Sequence, residues 1–436
     1  MSAELLRPFF HCVDECSLER WEGRVSRVTG HLLESEGPFC SVGESCEVVN
    51  GQGRRFEGEI VGFRGPTILS MCLERPSGIR YGDRIATRGS RPRVAVGDSL
   101  LGRVIDATGQ VLDGGGEIRV EARRPVDVAG PRALERTAIR EPLGCGIRAV
   151  DGLLTCGRGQ RMGIFGGSGV GKSTLIGMMT RGTSADLTVL ALIGERGREV
   201  REFLEDALGE EGRRRSVVVV STSDESPLLR IRAALVATTI AEHFADEGKH
   251  VLLVLDSLTR FAMAQREIGL AAGEPPTAKG YTPSVFTMLA RLIERAGRFL
   301  KGSITAFYTV LMEGDDQNDP LVDGARSLLD GHIVLDRRLA ARSHYPPIAV
   351  LDSLSRLMPA VATEEQMRST RRIRELLSTY SAAEDLVRVG AYQKGSDPLL
   401  DKALATLPAI NRFLQQTPAE HCPFEDTLQR LSALPV

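Results

Sequence analysis

The run Gly166-Gly167-Ser168-Gly169-Val170-Gly171-Lys172-Ser173 constrains this chain more than any other feature. It follows the apolar pair Ile164-Phe165 and precedes Thr174-Leu175-Ile176-Gly177-Met178-Met179, which reads as a helix. Strand, glycine-rich loop and helix in that order are the context a Walker A motif requires. The glycines let backbone N–H groups converge on phosphates at a helix N-terminus, where the dipole favours anions. A lysine at the position of Lys172 reaches the β- and γ-phosphates of ATP, and a hydroxyl at Ser173 binds Mg²⁺. The candidate nucleotide-binding set runs from Gly166 through Thr174. The bland alternative is a glycine-rich turn with an incidental Lys-Ser, and the order of the elements speaks against it.

The surrounding pattern supplies a sheet for this loop. Apolar runs at 161–165, 187–193, 216–221, 250–255, 303–311 and 332–335 alternate with amphipathic stretches, which predicts a parallel α/β sheet. Leu229, Ala233, Val236, Ile240 and Phe244 recur at the spacing of one buried helix face. Upstream, short alternating runs such as 23–28, 57–63 and 83–87, broken by glycines, predict a small β-barrel. Beyond Pro359 helical spacing takes over, with Met367, Ile373, Leu376, Leu377 and Tyr380, then Leu404, Leu407, Ile410 and Leu414. The expected division is an N-terminal segment at 1–20, a barrel at 21–90, an α/β domain at 91–360 and a helical domain at 361–436.

Three further places carry possible chemistry. His250-Val251-Leu252-Leu253-Val254-Leu255-Asp256 is a buried-strand run ending in a carboxylate, as a Walker B aspartate must to reach the Mg²⁺ shell through water. Ala191-Leu192-Ile193-Gly194-Glu195 ends a strand in an acid, and ligands of such sheets sit at the strands' carboxyl ends. Glu195 is thus placed to orient a water attacking the γ-phosphate. The run Glu195-Arg196-Gly197-Arg198-Glu199 equally fits a solvated salt-bridge cluster, and spacing does not choose between the two. Arg356, in Ser353-Leu354-Ser355-Arg356, is a candidate guanidinium for the transition state, although nothing local singles it out among the arginines.

Charge and cysteine usage weigh against other classes. With 55 Lys+Arg against 57 Asp+Glu the net charge is −2, which gives no basic footprint for nucleic acid. Eight cysteines are scattered without a Cys-x-x-Cys pair, so they are expected to be reduced thiols. No apolar run approaches ~18 residues and the start lacks a leader pattern, so a cytoplasmic location is expected. Leu5, Leu6, Phe9, Phe10 and Val13 are spaced as one helical face, a candidate partner-binding helix.

The strings Gly194-Glu195-Arg196-Gly197-Arg198-Glu199-Val200-Arg201-Glu202-Phe203 and Asp256-Ser257-Leu258-Thr259-Arg260-Phe261-Ala262-Met263-Ala264-Gln265-Arg266-Glu267-Ile268 resemble the protein-export ATPases of type III secretion. Residues 153–161 and 328–335 belong to the same pattern, and the resemblance covers nearly the whole chain. Gly273-Glu274-Pro275-Pro276-Thr277-Ala278-Lys279-Gly280-Tyr281-Thr282-Pro283-Ser284-Val285-Phe286 resembles the flagellar export ATPase, with injectisome ATPases similar. That family is related to the α and β subunits of rotary ATP synthases. The resemblance implies a RecA-like P-loop core between the barrel and the helical domain, and a homohexameric ring with nucleotide between subunits. It also implies that Glu195 is the water-activating carboxylate with Arg196 beside it, that Arg356 reaches a neighbour's ATP, and that Tyr345 packs on adenine. Implied partners are a regulatory, stator-like protein at the N-terminus, a central stalk, export chaperones and their substrates, and the export gate, with peripheral association at the inner membrane. Asp323-Gly324-Ala325-Arg326 and Leu357 depart from the family pattern without touching the phosphate loop.

Two other motors share these motifs. A rotary synthase catalytic subunit would carry an acidic helical loop where this chain has only Glu384-Asp385, and a hexameric RNA translocase would interleave basic and aromatic residues in its barrel. A ring-building scaffold without activity would be expected to have lost Lys172, Glu195 or Asp256, and all three are present.

Overall fold

All six strands expected in the α/β segment form and lie in one sheet, as Arg161–Gly166, Leu187–Glu195, Ser216–Thr222, His250–Asp256, Ser303–Leu311 and Gly331–Val334. The computed structural model describes residues 20–435 apart from 88, 313, 315 and 317. The candidate helix at 1–20 therefore lies outside the described residues, except for its last position.

Among the described residues the sheet has nine strands. From one edge the order is Leu354–Ser355, Gly331–Val334, Arg161–Gly166, Ser303–Leu311, His250–Asp256, Leu187–Glu195, Ser216–Thr222 and Val104–Asp106, and Gly297–Arg298 pairs on the side with Ser303–Leu311. The sequence pattern did not reveal Val104–Asp106 or Leu354–Ser355, because each is only two or three residues long. The long strands run parallel and are buried on both faces, which is why Val217, Val218, Val219 and Val220 form an unbroken apolar run. The helix Pro227–Asp246 covers one face. Ser226 caps it by accepting from Leu229 N at 3.3 Å, and Pro227 occupies its first turn, where a missing N–H costs nothing. Ala233, Val236, Ile240 and Phe244 are fully buried from this helix, each large apolar side chain contributing about 1.5–3 kcal/mol.

The barrel closes in the order Trp21–Thr29, Leu32–Glu36, Thr67–Cys72, Arg55–Arg64, Ser45–Val49, Arg84–Thr87, with every pairing antiparallel. Its interior is Val25, Leu33, Val48, Phe56, Ile60, Ile68 and Ile85. Gly58 is required there, since a Cβ at that position would sit 2.6 Å from the Met71 carbonyl oxygen.

The C-terminal helices Glu364–Arg388, Pro398–Leu414 and Phe424–Ser432 dock on the sheet domain through polar as well as apolar contacts. Buried Arg148 donates from Nε to the Phe413 carbonyl at 2.8 Å and pairs with Glu420, while Gln366 Nε2 donates to Thr155 Oγ1 at 2.7 Å. These bonds satisfy polar groups that the docking desolvates. The described cysteines Cys40, Cys46, Cys72, Cys145, Cys156 and Cys422 are free thiols. No described helix is long and apolar enough to cross a membrane.

Candidate functional site

The carboxyl ends of three strands and one helix N-terminus converge on a single rim of the sheet. Gly166 ends its strand opposite Leu311, Leu255 pairs with Tyr308, and Leu192 pairs with Asp256, so the phosphate loop, Asp256 and Glu195 share that rim. In the loop Gly169 and Gly171 have φ of 76° and 96°, a conformation that side-chain-bearing residues rarely adopt. Gly171 is the N-cap of the helix Lys172–Gly182. Ser168, Gly169, Ser173 and Thr174 are exposed, leaving the loop open to a ligand.

Lys172 Nζ lies 2.6 Å from Asp256 Oδ1 and 3.8 Å from Glu195 Oε1. The Asp256 side chain is only 4% exposed, and the same oxygen accepts from Thr309 Oγ1 at 2.7 Å. Thr309 was not legible in the sequence. It is one of several polar residues inside a buried strand, and only the pairing of Ser303–Leu311 with His250–Asp256 sets it beside the aspartate.

Glu195 owes its direction to a β-bulge. Against Ser216–Thr222 the register runs Ile193 to Ser221 and then Glu195 to Thr222, leaving Gly194 as the extra residue. Gly194 has φ of 68°, and a Cβ there would lie 3.0 Å from the Arg260 side chain, so glycine is the residue that fits. Burial first, and then the Asp256 charge, push the Glu195 carboxyl up to about 7, while Lys172 opposes the shift. The run divides at one peptide bond, with Glu195 facing the phosphate-loop lysine and the charges after it paired in solvent. Arg196 is 76% exposed and pairs with Glu199, and Arg198 with Glu202 and Arg201 with Glu205 form further exposed pairs, whereas Glu195 turns inward to Lys172.

Two predicted residues stand apart from this cluster. Tyr345 is 48% exposed on the segment between Leu335 and Ile348, and Leu335 N donates to the Phe165 carbonyl at 2.7 Å, so this segment flanks the phosphate loop. Exposed Arg356 follows Ser355, which pairs with Gly331, and its N–H donates to the Asp330 carbonyl. Gly331 precedes the partner of Gly163, so Arg356 sits at the amino ends of the parallel strands, away from Lys172 of its own chain.

At the motif departures Asp323 is exposed, Gly324 half-buried and Ala325 buried, ahead of Arg326, which lies over the Phe165 ring at 5.2 Å; half-buried Leu357 stands at the N-cap position of the short helix Met358–Val361.

Residues 146–355 match the model of the ATP synthase alpha/beta family nucleotide-binding domain, and residues 362–433 match that of the T3SS EscN ATPase C-terminal domain. The flagellum-specific ATP synthase of Treponema pallidum is 51% identical over 100% of this chain and 97% of its own. The chain belongs to the type III protein-export ATPase family. The type 3 secretion system ATPase of Sinorhizobium fredii is 48% identical, covering 94% of this chain and 92% of its own. The assembled ATPase EscN of enteropathogenic E. coli, solved in complex with its central stalk EscO, superposes with a TM-score of 0.86 at 43% identity, covering 94% of this chain and 98% of that one. Like other members of the family, this export ATPase is an ATP-hydrolysing enzyme of type III protein export, with a barrel, a nucleotide-binding α/β domain and a helical C-terminal region.

Proposed function

We propose that this export ATPase hydrolyses Mg-ATP at sites shared between the subunits of a homohexameric ring, and that hydrolysis primes flagellar protein export by releasing substrates from chaperones and unfolding them. The observation that carries this reading is the convergence of Lys172, Asp256 and Glu195 at one rim, beside an open phosphate loop. The fit to Mg-ATP rests on chemistry present there. Exposed loop backbone and the Lys172 ammonium suit phosphate oxygens, and the Ser173 hydroxyl is exposed beside them. Mg²⁺, held by Ser173 and through water by Asp256, would neutralise charge on the β- and γ-oxygens.

Lys172 then exchanges carboxylate partners for phosphate oxygens, and Thr309 keeps Asp256 oriented. Glu195 accepts a proton from the attacking water as the new P–O bond forms and the bond to the ADP oxygen breaks. A carboxyl titrating near 7 suits that work at neutral pH. Tyr345 packs on adenine, and Arg196 stands beside Glu195. Arg356 serves the ATP of the neighbouring subunit, which its distance from its own loop supports.

The EscN–EscO complex supports a central stalk as partner. Residues 1–20 are assigned to a regulatory, stator-like protein. Chaperones, their substrates and the export gate at the membrane complete the set, with no nucleic acid. The discriminating assay is phosphate release by the purified chain, with and without an export chaperone and with and without RNA. ATP turnover indifferent to RNA is expected; RNA-dependent turnover would overturn the export reading.

A further inference from the structure

Away from the nucleotide rim, Glu121, His243 and Glu247 bring one ligand atom each to within 4.8 Å of one another. Among the described residues, no other His, Cys, Asp and Glu side chains converge in this way. The three come from two elements. His243 and Glu247 are one helical turn apart at the end of Pro227–Asp246, and Glu121 immediately precedes Ala122–Pro125, which pairs with Arg93–Val96 between the barrel and the sheet domain. Backbone fixes the position of Glu121: its N–H donates to the Val96 carbonyl, and Oε1 accepts from Asp98 N at 3.2 Å.

The second observation is the state of the imidazole. His243 is 94% buried by its 6% exposure, yet its Nε2 makes no hydrogen bond. The nearest charge is Glu247 Oε1 at 3.5 Å, beyond a good hydrogen bond and close to the span of two ligands on one ion. A buried polar atom without a partner costs about 1–3 kcal/mol and calls for an explanation. One imidazole nitrogen and two carboxylates are a donor set for a divalent transition metal such as Zn²⁺, with water in the fourth position.

We propose that Glu121, His243 and Glu247 form a divalent transition-metal site, separate from the Mg-nucleotide site, that staples the connector after the barrel to the end of the helix Pro227–Asp246. Ligand distances of about 2.0–2.2 Å require the side chains to draw together, which exposed Glu247 can do by turning toward the backbone-held Glu121. Because the ion links two elements, binding stabilises the folded chain.

The test uses Co²⁺ as the probe, on the full-length protein without nucleotide. One equivalent per chain is expected, with visible d–d bands and none of the near-ultraviolet charge-transfer absorption of thiolate ligands. Glu247→Gln and Glu121→Gln, both at exposed positions, should each weaken Co²⁺ binding at least ~10-fold, and Zn²⁺ should displace the probe and raise the melting temperature. His243→Gln should abolish both effects. Three results would overturn the site: no saturable binding, a thiolate spectrum that vanishes when cysteines are blocked, or binding unchanged in both glutamate variants.

Discussion

Lys172 and Asp256 meet at 2.6 Å, the first residue of the phosphate-loop helix against the last residue of a strand two places away in the sheet. The lysine thus stands between two carboxylates, and ATP binding replaces these partners with phosphate oxygens. Lys172→Ala should abolish steady-state hydrolysis, because the positive charge on the β- and γ-phosphates is lost. Substantial turnover in that variant, measured as phosphate release, would remove the loop from the catalytic reading.

Glu195→Gln keeps shape and hydrogen-bonding capacity but not the base. ATP binding should persist while kcat falls at least ~10²-fold. Equilibrium binding of a fluorescent nucleotide, alongside single-turnover hydrolysis, separates the two effects. A variant within a few-fold of the parent would return Glu195 to the salt-bridged run that follows it.

The position of the Glu195 carboxyl near 7 has two consequences of opposite sign. Activity needs the ionised form, so kcat/KM should climb through an acid limb centred near 7. Stability behaves differently, because the folded carboxyl holds its proton at a pH where the unfolded one, near 4.5, has released it. That contribution is complete below about 4.5 and is lost as the pH rises through about 7. Glu195→Gln should therefore melt higher than the parent by a margin that widens from about pH 5 to about pH 8. A margin independent of pH would contradict the shift.

Gly177 decides between two competing effects. Alanine is the better helix former by about 1 kcal/mol, yet a Cβ at this position would sit 2.4 Å from the Ala207 carbonyl oxygen. Backbone cannot yield as a flexible side chain does, so Gly177→Ala should destabilise by about 1–3 kcal/mol and lower the melting temperature. A higher melting temperature would show that propensity wins.

Arg356 lies at the end of the sheet opposite its own phosphate loop, so a role at ATP requires a second subunit. Specific activity should rise with protein concentration. Arg356→Ala chains should bind nucleotide but turn over poorly, and mixing them with Lys172→Ala chains should restore some activity, since one mixed interface pairs an intact loop with an intact arginine. Specific activity independent of concentration, with no rescue while subunits exchange, would confine Arg356 to its own chain.

What the sequence determined by itself was whatever local spacing encodes. Glycines at 169 and 171, a lysine at the first helical position and buried strand runs specify the phosphate loop and its sheet, because backbone conformation and burial period depend on neighbours in the chain. Barrel strands Leu32–Glu36, Ser45–Val49 and Thr67–Cys72 escaped that reading and are defined by their pairing in the closed barrel. Tertiary structure alone decided which acid in the run from Glu195 to Glu202 faces Lys172. A bulge at Gly194 turns Glu195 inward, and the parallel register sets its strand beside the one ending in Asp256, which Thr309 holds from the far side. The same holds for Glu121 and His243, which are remote in sequence and adjacent in space. Such meetings depend on which strands pair and where helices pack, and those choices are made by burial summed over the whole domain.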